Sequence, residues 1–280
     1  FISEFKINKL KEVSNNQTSF NLSVRQINND LTSKLHKVQK LYEDSEFEEA
    51  LKYALELLEI LNKEDYIYNY KINSIIAKIY FKVNNKELSL LYHKKTLANL
   101  LLLNNLDNQT SYPFSKDIAR TYHLIGSMFQ SMKKQGKSFK EFQLSDSAKY
   151  YYNKVISLPS LNNIILDIKA RSFANLSGVY ETDSLYFQAE KYAIKAIEIQ
   201  RKLNNKLSEA KALNNLGNIY LSQENFEKSK EIYFEAIKLL ENHNSSLAIN
   251  IKASLYFNLA WAMRNLKDYK AYDYQELSYD

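Results

Sequence analysis

The chain has 280 residues, which is long for one compact core and suggests several domains or a repeat array. It contains only 4 Gly and 2 Pro against 45% hydrophobic residues, a composition that favours helices and excludes a disordered chain. The net charge of +6 is spread along the sequence, whereas nucleic-acid-binding proteins concentrate their cations in a stripe. We therefore expect no direct binding of nucleic acid.

The sequence contains no cysteine, which excludes disulfides, thiolate metal sites and a cysteine nucleophile. No apolar run reaches the about 18 residues of a membrane span, and LANLLLLNNL at 97–106 is far too short. The first residue is Phe1 instead of Met, so we expect a fragment or a processed form. A chain without cysteine suits the cytoplasm and the periplasm equally, which leaves the compartment open, with a periplasmic or other extracytoplasmic location slightly favoured over the cytoplasm.

In chain order, residues 1–30 are polar and rich in Asn and Ser, and they are predicted to form a polar N-terminal segment or a capping helix. From 31 to 280 an amphipathic helical hairpin recurs about six times. The predicted hairpins span 31–62, 70–105, 119–160, 170–203, 210–243 and 253–280. The third carries about ten additional residues near 131–146, which we expect as an extended helix or a projecting loop.

The fifth hairpin shows most clearly why the spacing is physical. Leu213, Leu216, Gly217 and Tyr220 follow one another at offsets that place them on one helical stripe. Gly217 has no side chain, so a neighbouring helix can approach closely at this point. A second amphipathic helix follows, with Tyr233 predicted to fill the gap between the two. Such a hairpin cannot bury its apolar face alone and must stack on copies of itself.

The other hairpins repeat this spacing with substitutions. Ser177 and Ala193 stand where the fifth hairpin has its glycine and its tyrosine, whereas the third hairpin retains Gly126 and Tyr152. The pattern of a large residue, Leu-Gly and Tyr, followed by Ala, an aromatic residue and Ala, resembles the tetratricopeptide repeat. The resemblance implies an all-α, right-handed superhelical solenoid of stacked antiparallel hairpins. It also implies binding of a protein or an extended peptide.

In this family the second, sixth and ninth positions of each first helix commonly contact the ligand. The second positions are cationic in four consecutive hairpins, the sixth are asparagines in the last three, and the ninth are mixed. These candidates are Lys71, Arg120, Arg171 and Lys211; Asn175, Asn215 and Asn258; and Lys78, Asn218 and Trp261. Asparagines can hydrogen-bond a peptide backbone, and a row of cations favours acidic ligands. The alternative is that abundant Asn and Lys residues solvate an exposed helix face.

No catalytic or metal-binding constellation is found. The histidines, His36, His93, His123 and His243, fall in different hairpins, and none has metal-ligand spacing. Four glycines leave little scope for a phosphate-binding loop. We therefore expect no enzymatic activity, no cofactor and no bound metal, and we interpret the histidines as isolated surface or interhelical side chains.

The leading hypothesis is a peptide- or protein-binding sensor module of a bacterial regulatory protein. A repeat length of about 40 residues and the final DYKAYDYQ resemble the repeat regions of bacterial membrane-tethered transcriptional regulators or sensor kinases. A cytoplasmic peptide-pheromone receptor and a passive scaffold for multiprotein assembly are the alternatives. The ligand, the output domain and the oligomeric state stay open at this point, as does occupation of the groove by a segment of the protein itself.

Overall fold

The computed structural model describes residues 30–106, 113–133 and 141–279. The chain divides into two compact units, with the boundary between Leu106 and Asp107. Regular structure in the described ranges is helical throughout, and no strand occurs there. The prediction of an all-α fold of stacked helical hairpins is confirmed. The predicted N-terminal segment 1–30 lies outside the described residues, apart from its last position.

The first unit contains two hairpins. Its helices are α1 (30–43), α2 (Phe47–Ile60), α3 (Tyr66–Lys82) and α4 (Lys86–Leu106). Val38, Ala54 and Ile72 belong to one buried cluster, which shows that α1, α2 and α3 share a core. Small residues such as Ala54 let adjacent helices approach closely at this interface.

The second unit contains four hairpins. Its helices are α5 (Ser115–Lys133), α6 (Glu141–Ser157), α7 (Asn163–Thr182), α8 (Tyr186–Lys202), α9 (Lys206–Ser222), α10 (Phe226–Leu239), α11 (Ser246–Asn265) and α12 (Ala271–Glu276). Each helix packs on the next in sequence. In addition α5 packs on α7, α7 on α9 and α9 on α11, so the four first helices lie side by side along one face.

The first helices begin earlier than the predicted hairpins do. Helix α7 begins at Asn163 instead of residue 170, and α11 begins at Ser246 instead of 253. The repeat pattern marks only core-facing positions, whereas the helix start is set by a capping side chain. Asn162 caps α7 by accepting a hydrogen bond from the Ile165 amide at 3.0 Å.

Part of the predicted insertion near 131–146 is helical. Helix α5 continues to Lys133, and α6 begins at Glu141. Helix α6 therefore starts two turns before Ala148, the buried small residue of the repeat pattern. The residues between 133 and 141 lie outside the described ranges.

In two hairpins of the second unit, a tyrosine ring of one helix packs directly against a glycine of the other. A methyl group added at Gly217 would lie against Cε1 of Tyr233 and 2.8 Å from its Cδ1, and one added at Gly126 would lie 2.8 Å from Cε1 of Tyr152. Both tyrosines are fully buried. Ser229 closes the same contact by donating a hydrogen bond to the Gly217 carbonyl at 3.0 Å. The tyrosine ring therefore occupies the space that a side chain at the glycine position would fill.

Where the glycine is replaced, the facing residue changes with it. Ser177 stands in the glycine position of α7, and the facing helix carries Ala193 instead of tyrosine. Ala77 stands in that position of α3, and the facing helix carries His93. All four residues are buried. In both hairpins a residue larger than glycine faces a residue smaller than tyrosine, so the two helices cross without overlap of these side chains.

A single type of turn reverses the chain at six junctions in the described residues. Each turn has one residue other than glycine in the left-handed conformation: Ser45, Asn84, Ser184, Asn204, Glu224 and Lys267, with φ between 52° and 65°. Two backbone hydrogen bonds close every turn; after α3, Asn84 donates to Phe81 and Asn85 donates to Tyr80. Such a conformation costs about 1 kcal/mol outside glycine.

An asparagine that follows this residue often begins the next helix. Asn85, Asn205 and Asn225 each accept a hydrogen bond from the amide three residues later, at 3.1, 3.2 and 3.3 Å. The same three residues donate their own amides to the helix before the turn. One asparagine therefore ends one helix and caps the next, which explains part of the asparagine content of the sequence.

We predict that Gly217→Ala destabilises the second unit by about 1–3 kcal/mol, because the new methyl group overlaps the ring of Tyr233. In a Tyr233→Ala background the same change should have no cost or should stabilise, since the ring no longer occupies the space. Thermal melting of the four variants measures this coupling.

Gly178→Ala is the matched control on a first helix. A methyl group there meets only Nε2 of Gln130, at 3.4 Å, so the higher helix propensity of alanine should raise stability by up to about 1 kcal/mol. Equal melting shifts for Gly178→Ala and Gly217→Ala would contradict the packing described here.

Candidate functional site

A cleft of about 480 Å³ lies on the face formed by the first helices of the second unit. Residues of α5, α7, α8, α9 and α11 line it. Four of the residues predicted to contact ligand are among them: Arg171, Asn175, Lys211 and Asn215. Stacking of successive hairpins brings these side chains together, although they are up to 44 residues apart in the sequence.

The remaining predicted residues lie elsewhere. Lys71 and Lys78 line a separate groove of about 300 Å³ on the first unit, together with Ser74 and Ile75. Arg120 is exposed on α5, 3.8 Å from Asp117, and does not line the cleft. The ligand contacts expected of these residues stay predictions.

Trp261 lies on α11, the last of the first helices in the described part of the chain. Trp261 is 52% exposed, and Phe257, one turn before it on the same helix, is 50% exposed. On α9 the equivalent residues are Asn218 and Asn214, and both accept a hydrogen bond from the following first helix. Trp261 thus stands at the position that joins successive hairpins on α9 and does not line the cleft, and the ligand contact expected of it stays a prediction.

The predicted asparagines connect successive hairpins through their amide nitrogens. Asn258 donates to the side-chain oxygens of Asn214 and Asn218, at 3.0 and 3.1 Å. Asn215 donates to the Ala174 carbonyl at 2.9 Å, and Asn175 donates to the hydroxyl of Tyr152 at 3.1 Å. Because these bonds cross between hairpins, the asparagines also stabilise the stacking, and replacing them with Ala should lower stability as well as any affinity.

Two cations line the cleft. The Arg171 guanidinium is paired with Asp167, one turn earlier on α7, at 3.0 Å. Lys211 is exposed on α9 and forms no ion pair with any carboxylate in the described ranges. No Asp or Glu is among the residues that line the cleft, so its wall carries a positive charge.

The fifth position of the first helices also contributes to the cleft, which the sequence did not indicate. His123 and Asn214 both stand one residue before a predicted sixth position, and both line the wall. Ser74 of α3 takes the same position in the groove of the first unit. His123 connects α5 to α7 through Ser172, as expected of an interhelical histidine, and it also lines the cleft; the residue that follows it, Leu124, is apolar and does not line the cleft.

The tautomer of His123 follows from its neighbours. Ser172 donates its one hydroxyl hydrogen to the Ile168 carbonyl at 2.9 Å. Its oxygen must therefore accept the hydrogen bond from Nδ1 of His123, at 2.8 Å. Burial and the nearby charge of Arg171 lower the pKa of His123 to about 4, whereas Asp167 acts in the opposite direction. At neutral pH the ring is uncharged, and its Nε2 is a hydrogen-bond acceptor.

Gln200, near the end of α8, is a further cleft residue that sequence reasoning missed. It is 1% exposed, lines the cleft and donates from Nε2 to Asp167 at 3.0 Å. Its Oε1 is buried and has no hydrogen-bond partner in the described part of the structure. An unsatisfied buried acceptor costs about 1–3 kcal/mol, so this atom is a feature that requires an explanation.

Two further properties bear on the kind of site. Within the described ranges no three His, Cys, Asp or Glu side chains come together as metal ligands would. None of the helices in the same ranges is both long enough and apolar enough to cross a membrane.

Comparison with known families finds a match for part of the region that forms the cleft. The sequence model of the tetratricopeptide repeat matches residues 169–242, which contain α8, α9 and α10 and most of α7. The match shows similarity to the tetratricopeptide repeat over this part of the chain. The matched repeats contain six of the cleft residues discussed above: Arg171, Asn175, Gln200, Lys211, Asn214 and Asn215.

Solved tetratricopeptide-type structures share the fold over most of the chain. The apo form of RapI has a TM-score of 0.68 and 15% identity, with 88% of this chain and 83% of RapI covered. BtubC from P. vanneervenii has a TM-score of 0.61 and 15% identity, with 89% of each chain covered. The Rap conjugation gene regulator of plasmid pLS20, in complex with the Phr* peptide, has a TM-score of 0.53 and 12% identity, with 89% of this chain and 73% of the regulator covered. A search of curated proteins finds no significant sequence match.

We predict that acid destabilises the second unit because His123 is held uncharged. The pKa is about 6.5 in the unfolded chain and about 4 in the folded one, so unfolding takes up a proton between these values. The free energy of unfolding therefore has its full value above pH 6.5 and decreases by up to about 3 kcal/mol as the pH falls to 4. His123→Asn retains a donor for Ser172 and should lose less stability over this range.

The comparison uses denaturant unfolding at several pH values. His93 also has a pKa lowered to about 4, by burial and by Lys78, so part of the pH dependence should remain in the variant. His36→Asn, on the exposed surface of α1, is the control and should leave the wild-type profile unchanged. Identical profiles for wild type and His123→Asn would show that His123 is not buried uncharged.

Proposed function

We propose that the chain is a non-enzymatic module that binds an extended, acidic segment of a protein or peptide in the cleft of its second unit. The observation that carries this proposal is the composition of the cleft wall. Amide side chains and two cations line it, and no carboxylate does. A tetratricopeptide fold with such a wall offers hydrogen bonds to a backbone and attraction to acidic side chains.

The amides are suited to a peptide backbone because each offers both a donor and an acceptor. The Nδ2 of Asn215 is used between hairpins, which fixes the side chain and leaves its Oδ1 available. Asn214 and Asn250 add further amides to the same wall. A side chain that is already held in place loses little entropy when it binds, which favours affinity.

The charge distribution favours an acidic ligand. Lys211 is exposed and unpaired with any described carboxylate, so a ligand carboxylate can approach it without displacing an existing partner. Arg171 is already compensated by Asp167 and should contribute less. Lys211 is therefore the residue that we assign to recognition of an acidic side chain.

The solved structures support a regulatory form of this function. The Rap regulator of plasmid pLS20 has the same fold and is bound to the Phr* peptide. By analogy we assign this chain to the sensor or interaction module of a bacterial regulatory protein, with a peptide receptor of the Rap type as the variant that this comparison favours.

We predict that Lys211→Glu weakens binding of acidic peptides at least tenfold, because it replaces the attraction of the cleft by repulsion. The probes are heptapeptides selected on the whole chain from a random displayed library, and calorimetry gives their Kd values. Selected peptides should be enriched in Asp and Glu, and their affinity should fall at high salt.

Lys191→Glu is the matched control, since Lys191 is exposed on α8 and does not line the cleft. It introduces the same charge change and should leave the Kd within about twofold of wild type. A library that returns no acidic enrichment, or equal effects of the two variants, would overturn the proposal.

A regulatory role predicts that peptide binding changes other interactions of the chain. The whole chain is used as bait with and without the tightest selected heptapeptide, and the captured proteins are compared. A sensor should gain or lose at least one partner when the peptide is added. The same set of partners in both experiments would favour a passive scaffold.

A further inference from the structure

Gln200 stands out among the polar groups of the second unit. Three buried side-chain atoms in the described ranges have no hydrogen-bond partner, Asn73 Oδ1, Gln200 Oε1 and His243 Nδ1, and of these only Gln200 lines the cleft. It is also nearly completely buried, at 1% exposure. Buried polar groups are almost always paired, so a missing donor at the wall of a binding cleft points to the ligand.

The orientation of the Gln200 amide is fixed by chemistry. Its Nε2 lies 3.0 Å from Oδ1 of Asp167, and an ionised carboxylate accepts hydrogen bonds but cannot donate them. A flipped amide would set its oxygen against the carboxylate and leave the nitrogen unpaired. Because Asp167 is also paired with Arg171 at 3.0 Å, it is held in place on α7. The unpaired atom is therefore the oxygen, an acceptor.

A second acceptor in the same wall has a similar origin. Nδ1 of His123 donates to Ser172, so Nε2 is the accepting nitrogen, and it has no partner in the described residues. Both Gln200 and His123 are thus held through hydrogen bonds to α7, from α8 and α5 respectively. The cleft combines acceptors that lack donors with the cations Arg171 and Lys211.

The missing donor should be neutral. A ligand ammonium or guanidinium group would be placed in a wall that already contains Arg171 and Lys211, and like charges repel. The backbone N–H of an extended peptide is uncharged, is present at nearly every residue and has no partner within the peptide itself. It is the donor that an acidic peptide can bring to this position without opposing the charge of the cleft.

We propose that Gln200 Oε1 accepts a backbone N–H from the bound peptide and that Gln200 thereby selects a peptide amide at one fixed position. This inference rests on the proposed peptide-binding function and adds a residue on a second helix, outside the first-helix positions. The acidic group of the peptide binds at Lys211, and the amide at Gln200 sets the register of the chain.

The test combines Gln200→Met with a change in the peptide. The probe is the tightest heptapeptide from the selection, synthesised with each backbone amide replaced in turn by an ester, which removes one N–H without adding bulk. Against wild type, one ester position should weaken binding about tenfold or more. Against Gln200→Met, the parent peptide should bind about tenfold more weakly, and the same ester should have little further effect.

Gln188→Met is the control, because Gln188 is exposed on the same helix and does not line the cleft. It should bind the parent peptide and every ester as wild type does. The melting temperature of Gln200→Met establishes that the variant is folded, and Gln200→Leu replaces it if it is not.

The outcomes separate this inference from the function on which it rests. If the selection returns no peptide that binds the chain, the proposed function fails. If a peptide binds but no ester position depends on Gln200, the peptide-binding function stands and the role of Gln200 is overturned. An ester effect that is equally large in wild type and in Gln200→Met also overturns it.

Discussion

In two hairpins of the second unit, a close contact between a glycine and a tyrosine connects the packing inside the hairpin to the stacking of the next one. Gly217 admits the ring of Tyr233, and the ring hydroxyl donates to Asn218 at 2.6 Å. Asn218 in turn accepts from Asn258 of the next hairpin at 3.1 Å. The packing inside one hairpin is thus connected, through one amide, to the position of the next hairpin and of the face on which the cleft lies.

The cleft is a product of stacking and not of any single hairpin. First helices that lie side by side repeat the same positions along one face, so amides and cations recur across it. The same asparagines that face the cleft also hold the hairpins together, as Asn215 does through the Ala174 carbonyl. These residues therefore contribute to the stability of the stack, whereas Lys211 forms no ion pair with a described carboxylate.

The sequence was sufficient to predict the hairpins but not the whole site. Leu213, Gly217 and Tyr233 are core residues whose spacing is dictated by helix geometry, so the pattern predicts their packing directly. The positions of Arg171 and Lys211 in the cleft follow from the same register. Helix starts were less predictable because caps such as Asn162 lie outside the repeated pattern.

Gln200 and His123 could not be predicted because their roles depend on contacts between elements distant in sequence. Gln200 is 33 residues from Asp167, and His123 is 49 residues from Ser172. Nothing in their local sequence distinguishes them from solvated side chains. Trp261 shows the opposite case, since its register is regular but no further first helix in the described chain covers it.

The six turns with a left-handed residue have a consequence for how such a chain can evolve. Each reversal is completed by hydrogen bonds between residues at most five apart, and in three of them one asparagine also begins the next helix. The hydrogen bonds that reverse the chain are thus all local, and none of them involves a residue distant in the sequence. Duplication or exchange of a gene segment that encodes two helices and their turn would therefore transfer a complete hairpin. Only the surfaces that contact the neighbouring hairpins would then have to be adjusted.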